Sequence, residues 1–135
     1  MKRPIFLISI ITFSALVGGA KSAAYATKNE IVSAYNGNTL YEDASWYEFA
    51  GYYNADGTVR GRGWNWMGEE TSGGEWHVND DGKFCVRWDR KNWGDGEENC
   101  YTVELDGEKT RIVHTSGSGG EDRSFIIKKG NPYQL

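Results

Sequence analysis

The sequence predicts an all-β domain, an antiparallel meander of about eight strands closed into a small barrel or a strongly curled sheet, behind a leader and one short helix. Three observations predict it. Four Asp-Gly pairs, Asp56-Gly57, Asp81-Gly82, Asp95-Gly96 and Asp106-Gly107, punctuate the chain at the spacing of hairpin turns, not of alternating strands and helices. Between them apolar and polar residues alternate. The composition, with 18 glycines and 14% aromatic residues in 135, fits one compact strand-rich domain and has no Gly-X-Y period. A two-layer sandwich is the alternative architecture.

Residues 1–26 read as a secretory signal in three parts. Lys2 and Arg3 lead, an apolar run over residues 5–17 follows, broken only by Ser9, Thr12 and Ser14, and small residues close it. Ala24-Tyr25-Ala26 satisfies the small-x-small cleavage rule and leaves Thr27 first in a mature domain of residues 27–135. The apolar run is shorter than the ~20 residues that span a bilayer, and no cysteine near the cleavage point is available for lipid, so no stable membrane insertion is expected. The expected location is periplasmic or secreted. Cleavage removes Lys2, Arg3 and Lys21 but no acid, which moves the net charge from −4 to −7. With the remaining cations interleaved among acids, nucleic acid is not an expected partner.

Residues 28–36 place Ile31, Val32 and Tyr35 at helical spacing, with Gly37 as the cap. Strands are then expected over residues 39–44, 46–53 and 59–67, and a last one over 123–129 after the flexible stretch Ser116-Gly117-Ser118-Gly119-Gly120. Register is legible in the middle of the chain. Phe84, Val86 and Trp88 share one face, and Lys83, Cys85 and Arg87 the other. Tyr101, Val103 and Leu105 form the next apolar face, with Cys100 opposite. A three-residue loop Asp80-Asp81-Gly82 sets Trp76 against Val86 and Val78 against Phe84. A two-residue Asp106-Gly107 turn sets Val103 against Thr110, Tyr101 against Ile112 and Glu104 against Lys109.

Cys85 and Cys100 are the only cysteines. Both fall on the outer face of one hairpin, at matched heights if Asn92-Trp93 is the turn centre, so a cross-strand disulfide is expected. An exported pair usually oxidises, and no CxxC spacing marks a metal site.

Elbow, phosphate-loop and HExxH motifs are absent, and no cofactor is expected. His114 is expected to face inward and His77 outward, so the two do not converge. Glu48 and Glu75 are the carboxylates on aromatic-rich strands; glycoside hydrolysis would need them ~5–9.5 Å apart in one cleft. A cross-strand ion pair with Arg60 or Arg62 accounts for Glu48 without catalysis. Asn79-Asp80-Asp81-Gly82 lacks the spaced oxygens of a calcium loop and reads as turn chemistry. The surplus is aromatic. Trp76 and Trp88 belong to the core pattern. Trp64 and Trp66, alternate residues of one expected strand, share a face about 6.6 Å apart. Turned inward they fill the barrel; turned outward they stack sugar rings or anchor a partner. Trp93 is expected at an exposed hairpin tip, dispensable for folding. Trp64, Trp66 and Trp93 are therefore the candidate binding residues.

The segments Gly37-Asn38-Thr39, Asn54-Ala55-Asp56-Gly57-Thr58-Val59-Arg60-Gly61, Gly74-Glu75-Trp76, Asp81-Gly82-Lys83-Phe84-Cys85-Val86-Arg87-Trp88 and Asn99-Cys100-Tyr101 resemble a family of short exported bacterial proteins, domain of unknown function 995. The resemblance covers nearly all the mature chain and implies an exported protein; it carries no activity and no catalytic residues. Gly74-Glu75-Trp76 also resembles the lipocalin G-x-W, here in mid-chain instead of on a first strand, and implies only a barrel. The expected function is non-enzymatic binding of a small ligand, a glycan or a protein through aromatic surface. The alternatives are an inhibitor of a secreted hydrolase, inserting a stapled Lys91-Asn92-Trp93-Gly94 tip, and a small glycosidase-like enzyme. The first needs a concave cavity, the second a protruding tip, the third converging carboxylates.

Overall fold

A computed structural model describes residues 24–135; residues 1–23 of the expected leader lie outside the described residues. Helix α1 (Lys28–Tyr35) precedes eight strands: β1 (Asn38–Ala44), β2 (Tyr47–Tyr53), β3 (Thr58–Asn65), β4 (Gly68–Val78), β5 (Phe84–Trp88), β6 (Asn99–Asp106), β7 (Lys109–Ser116) and β8 (Arg123–Lys129). Each strand pairs antiparallel with the next, and β1 pairs with β8 from Asn38 against Lys129 to Tyr41 against Ile126, which closes the barrel. Closure removes the open sheet edges that a sandwich would have to protect. Among the described residues no helix is long and apolar enough to cross a membrane.

Alternation decides the inside. Phe84, Val86 and Trp88 are buried inward, and Trp76 and Val78 stand opposite Val86 and Phe84 as the turn chemistry requires. Gly82 adopts φ +74°, the left-handed conformation that closes the three-residue loop, with the Asn79 N–H bonded to the Lys83 carbonyl at 3.0 Å. Cys85 and Cys100 are directly opposed across β5 and β6 and form a disulfide. Closing a loop of this length contributes about 3 kcal/mol by chain-entropy accounting. Cys85 lies on the outer face yet is buried, because its partner sulfur, His77 and Glu98 gather over it.

Two expectations, one hairpin register and one strand end, are corrected. In the β6–β7 hairpin Asp106 pairs with Lys109, so the turn residues are Gly107 and Glu108, and Val103 meets Ile112, Tyr101 meets His114 and Glu104 meets Arg111. The shift is two residues, which leaves every side chain on its expected face. The strand expected over 59–67 ends at Asn65, because Asn65 pairs with Gly68 and the chain turns through Trp66 and Met67.

The helix has a structural task. Thr27 and Glu30 form a capping box, the Thr27 hydroxyl oxygen accepting from the Glu30 N–H at 3.3 Å and the Glu30 carboxylate from the Thr27 N–H at 3.0 Å. Its apolar residues Ile31 and Tyr35 are fully buried. The Tyr35 ring lies 5.2 Å from Phe84 and 6.0 Å from Tyr53, both inward-facing. In a meander the β2–β3, β4–β5 and β6–β7 turns share one end of the barrel. At that end α1 is the plug. The Ala26 N–H, two residues before the helix, joins the Val103 carbonyl at 2.7 Å, a bond that the expected cleavage after Ala26 removes.

Candidate functional site

The opposite end gathers the β1–β2 and β3–β4 turns, the long β5–β6 connection and the β7–β8 loop, and among the described residues no α-helix covers it. A cavity of about 660 Å³ opens there. Its walls are aromatic because β2, β5 and β6 send Tyr47, Phe49, Trp88 and Tyr101 inward at this level. Facing them, β3 carries no side chain at Gly61 and Gly63. An added Cβ at Gly61 would stand 2.7 Å from the Trp88 ring and 2.8 Å from the Trp93 ring, so the glycine makes room for both indoles.

Trp93 is therefore not an exposed tip. The β5–β6 connection folds over the mouth and tucks the indole beside Trp88 (5.1 Å) and Phe49 (5.7 Å). Its Nε1–H donates to Glu70 Oε2 at 3.2 Å. That bond, with a second from Asn92 Nδ2, holds the Glu70 carboxyl below its ordinary range. Asn99, buried at the start of β6, secures the connection. Its Nδ2 donates to the Gly94 and Glu97 carbonyls at 2.9 and 3.1 Å, and its Oδ1 accepts from the Gly119 N–H at 3.1 Å. One amide thereby joins the two loops of the mouth.

The other expected aromatics part company. Trp64 sits on the outer face, since Val59, Gly61 and Gly63 occupy the inward positions of β3. It packs 5.7 Å from Tyr133 and 6.4 Å from Tyr41, with Arg62 over its ring at 5.0 Å. Tyr133 of the C-terminal tail stacks on Tyr41 at 5.6 Å, and Ala50, opposite Tyr41 and Arg62 in the ladder, is fully buried on this outer face. Trp66 lies in the β3–β4 turn and is 89% exposed, so it does not share a strand face with Trp64. Trp46 (71% exposed) and Met67 (73%) stand at the lip of the cavity. Of Trp64, Trp66 and Trp93, Trp93 and Trp64 line the cavity, Trp93 from within the aromatic wall and Trp64 from the outer face of β3, whereas Trp66 is not part of the lining.

The mouth also holds a charged group that no local sequence pattern marks. Arg123, at the start of β8, points inward and donates from Nη2 to Glu42 Oε1 at 2.8 Å and to the Tyr47 hydroxyl oxygen. The Tyr47 O–H itself donates to Glu42 Oε1 at 2.7 Å. Burial pulls the guanidinium pKa down, but the hydrogen bond and charge of Glu42 outweigh it, and the group is held cationic. Burial and the Glu42 bond together raise the Tyr47 phenol. Arg123 also lies over the Phe49 ring at 5.5 Å. The alternation of β1 places Glu42 inward beside Leu40, a signal that the acidic dipeptide Glu42-Asp43 obscures.

The remaining candidates stay apart. Glu48 is on the outer face and pairs with neither Arg60 nor Arg62; it accepts the Tyr41 O–H at 2.5 Å, which raises the Tyr41 phenol, while Arg62 pairs with Glu69 at 2.7 Å. Glu75, opposite Thr58 near the plugged end, lies 3.5 Å from Arg87. The two carboxylates thus share no cleft. His114 faces inward beside Tyr101 at 5.5 Å, and His77 faces outward 3.4 Å from Glu98. His77, Glu98 and Cys85 gather closely enough to hold a metal ion, but the Cys85 sulfur is committed to the disulfide.

The family described as "Protein of unknown function (DUF995)" matches residues 5–121. The chain belongs to this family. Among curated proteins, none matches the chain. The DUF995 match ends at Glu121, one residue short of the end of the β7–β8 loop and before Arg123. It therefore takes in the aromatic wall, Asn99 and both loops of the mouth, and leaves β8 and the Tyr133 tail outside it.

Proposed function

We propose that this protein is an exported binding protein that holds a small molecule in the mouth of its barrel. One observation carries the reading: a cavity of about 660 Å³ with aromatic walls lies at the end that the helix leaves open. Ligand pockets span about 300–1,000 Å³ and combine apolar walls with a few placed polar groups. Arg123, Glu70, Asn99 and Glu121 supply those groups here. The apolar residues Trp46 and Met67 at the lip offer a surface on which an incoming ligand sheds water. Export is supported by the leader pattern and by the Cys85–Cys100 disulfide, which suits an oxidising compartment.

The test fills the cavity. A Cβ at Gly63 would meet nothing nearer than 3.8 Å, so Gly63→Leu projects a side chain into the mouth without displacing backbone. Purified protein is titrated with a panel of small aromatic and alicyclic molecules, read by tryptophan fluorescence and by the shift in melting temperature. Saturable binding by the wild type that Gly63→Leu abolishes supports the reading. A panel without a saturable binder, or binding that Gly63→Leu leaves intact, overturns it.

A further inference from the structure

The charges around the mouth do not cancel, and the remainder has a sign. Three carboxylates line the cavity, Glu69, Glu70 and Glu121, against one cation, Arg123. Arg123 is already neutralised by Glu42 at 2.8 Å, and Glu69 by Arg62 at 2.7 Å. Glu70 has Arg90 at 3.9 Å and the N–H donors of Trp93 and Asn92. Glu121 has no ion-pair partner within 4.0 Å among the described residues. An anionic ligand entering the mouth would find its one attractive charge, Arg123, paired with Glu42 and already acted on at longer range by the Glu121 carboxylate.

The walls point the same way. Phe49, Trp88 and Trp93 stand 5.1–5.8 Å apart with interplanar angles of 89°, 69° and 79°, three ring planes set nearly at right angles. All three line the cavity, and ring faces carry negative potential, so a face that opens on it stabilises a positive charge. The protein already uses one of these rings so, with the Arg123 guanidinium over Phe49.

We propose that the barrel mouth takes an organic cation, a molecule with a flat apolar body and an ammonium or amidinium group, with Glu121 as its counter-ion and the Phe49, Trp88 and Trp93 rings as its walls. This rests on the cavity being the binding site. A compact inorganic cation would be too strongly hydrated to exchange water for ring faces, whereas an alkylated nitrogen exchanges it readily. Glu121 at the solvent edge selects for charge, and the rings select for apolar bulk.

Three probes of one shape separate the two claims: benzyltrimethylammonium, its neutral isostere neopentylbenzene and the anion phenylmethanesulfonate, each titrated by tryptophan fluorescence at low and high salt. The expected order places the cation at least about tenfold tighter than the other two, with its advantage reduced by salt. Glu121→Gln should remove most of that advantage while leaving the neutral isostere unchanged. Binding of the neutral or anionic probe as tight as that of the cation, still abolished by Gly63→Leu, overturns the cation assignment and leaves the cavity as the site. Cation binding that survives Gly63→Leu overturns the cavity as the site. No binding of the cation overturns the proposal.

Discussion

Gly61 of β3 and Trp88 of β5 approach across the barrel so closely that a methyl group on the glycine would stand 2.7 Å from the indole. Interior packing at that distance leaves no room for relaxation without moving a ring. The contrast with Gly63, one inward position further along the same strand, is the basis of a first prediction. Gly61→Ala should destabilise the domain by about 1–3 kcal/mol through overpacking. Gly63→Ala, whose nearest neighbour is at 3.8 Å, should stay within about 0.5 kcal/mol of the wild type. Denaturant melts of the two variants decide it; equal midpoints would show that the Trp88 ring yields freely.

Trp93 carries a second prediction. Its ring is half-buried against Trp88 and Phe49. Trp93→Ala should cost about 2 kcal/mol, below the ~3–5 kcal/mol expected for Trp88→Ala, whose ring lies deeper. Unfolding curves in urea measure both. A neutral Trp93→Ala would mean that the β5–β6 connection holds its shape through Asn99 alone.

What the chain reveals locally and what it hides follow one physical line. The Trp76–Val86 and Val78–Phe84 pairs were legible because a one-residue slip would turn every apolar side chain to solvent. The β6–β7 register lies two residues from the expected one for the complementary reason. A two-residue slip keeps Tyr101, Val103 and Leu105 inward, so the hydrophobic pattern cannot distinguish the two registers. Trp93 was misplaced because its neighbours in sequence are polar, while the groups that receive it, Phe49 and the side-chain-free Gly61, come from strands far away in the chain. Trp64 could have been placed from β3 itself. Val59, Gly61 and Gly63 form its inward row, and Arg60 and Arg62 share the outward row with Trp64. The Arg123–Glu42 pair spans 81 residues and leaves no local trace.

Tyr35 supplies a third prediction, about the plug. The Thr110 hydroxyl donates to the Glu104 carbonyl at 3.1 Å, which uses its only proton, so the Tyr35 O–H is the donor in the 2.5 Å bond between the two side chains. Tyr35→Phe removes that donor and leaves the Thr110 donation intact, and should cost about 1 kcal/mol. Tyr35→Ala empties the site of a fully buried ring and should cost about 3–5 kcal/mol. Hydrogen exchange would show the larger loss as faster exchange of the α1 amides. Unchanged protection in Tyr35→Ala would mean that Ile31 alone anchors the helix.

The fourth prediction concerns acid. Glu70 has a carboxyl pKa lowered from the ordinary 4.5, first by the Trp93 indole N–H and then by the Asn92 amide. A group whose pKa is depressed by folding stabilises the native state above its unfolded pKa and loses that contribution as pH falls through the folded value. The window therefore opens near pH 4.5 and extends below it. Protonation weakens the acceptor that positions Trp93, so acidification through this window should change the near-ultraviolet circular dichroism and the fluorescence of that indole before the barrel unfolds. In Glu70→Gln the neutral amide oxygen still accepts from the indole but does not titrate, and the step should vanish while Trp93 stays seated. An acid transition of the same midpoint and amplitude in Glu70→Gln would assign the step to another carboxylate and detach Trp93 from Glu70.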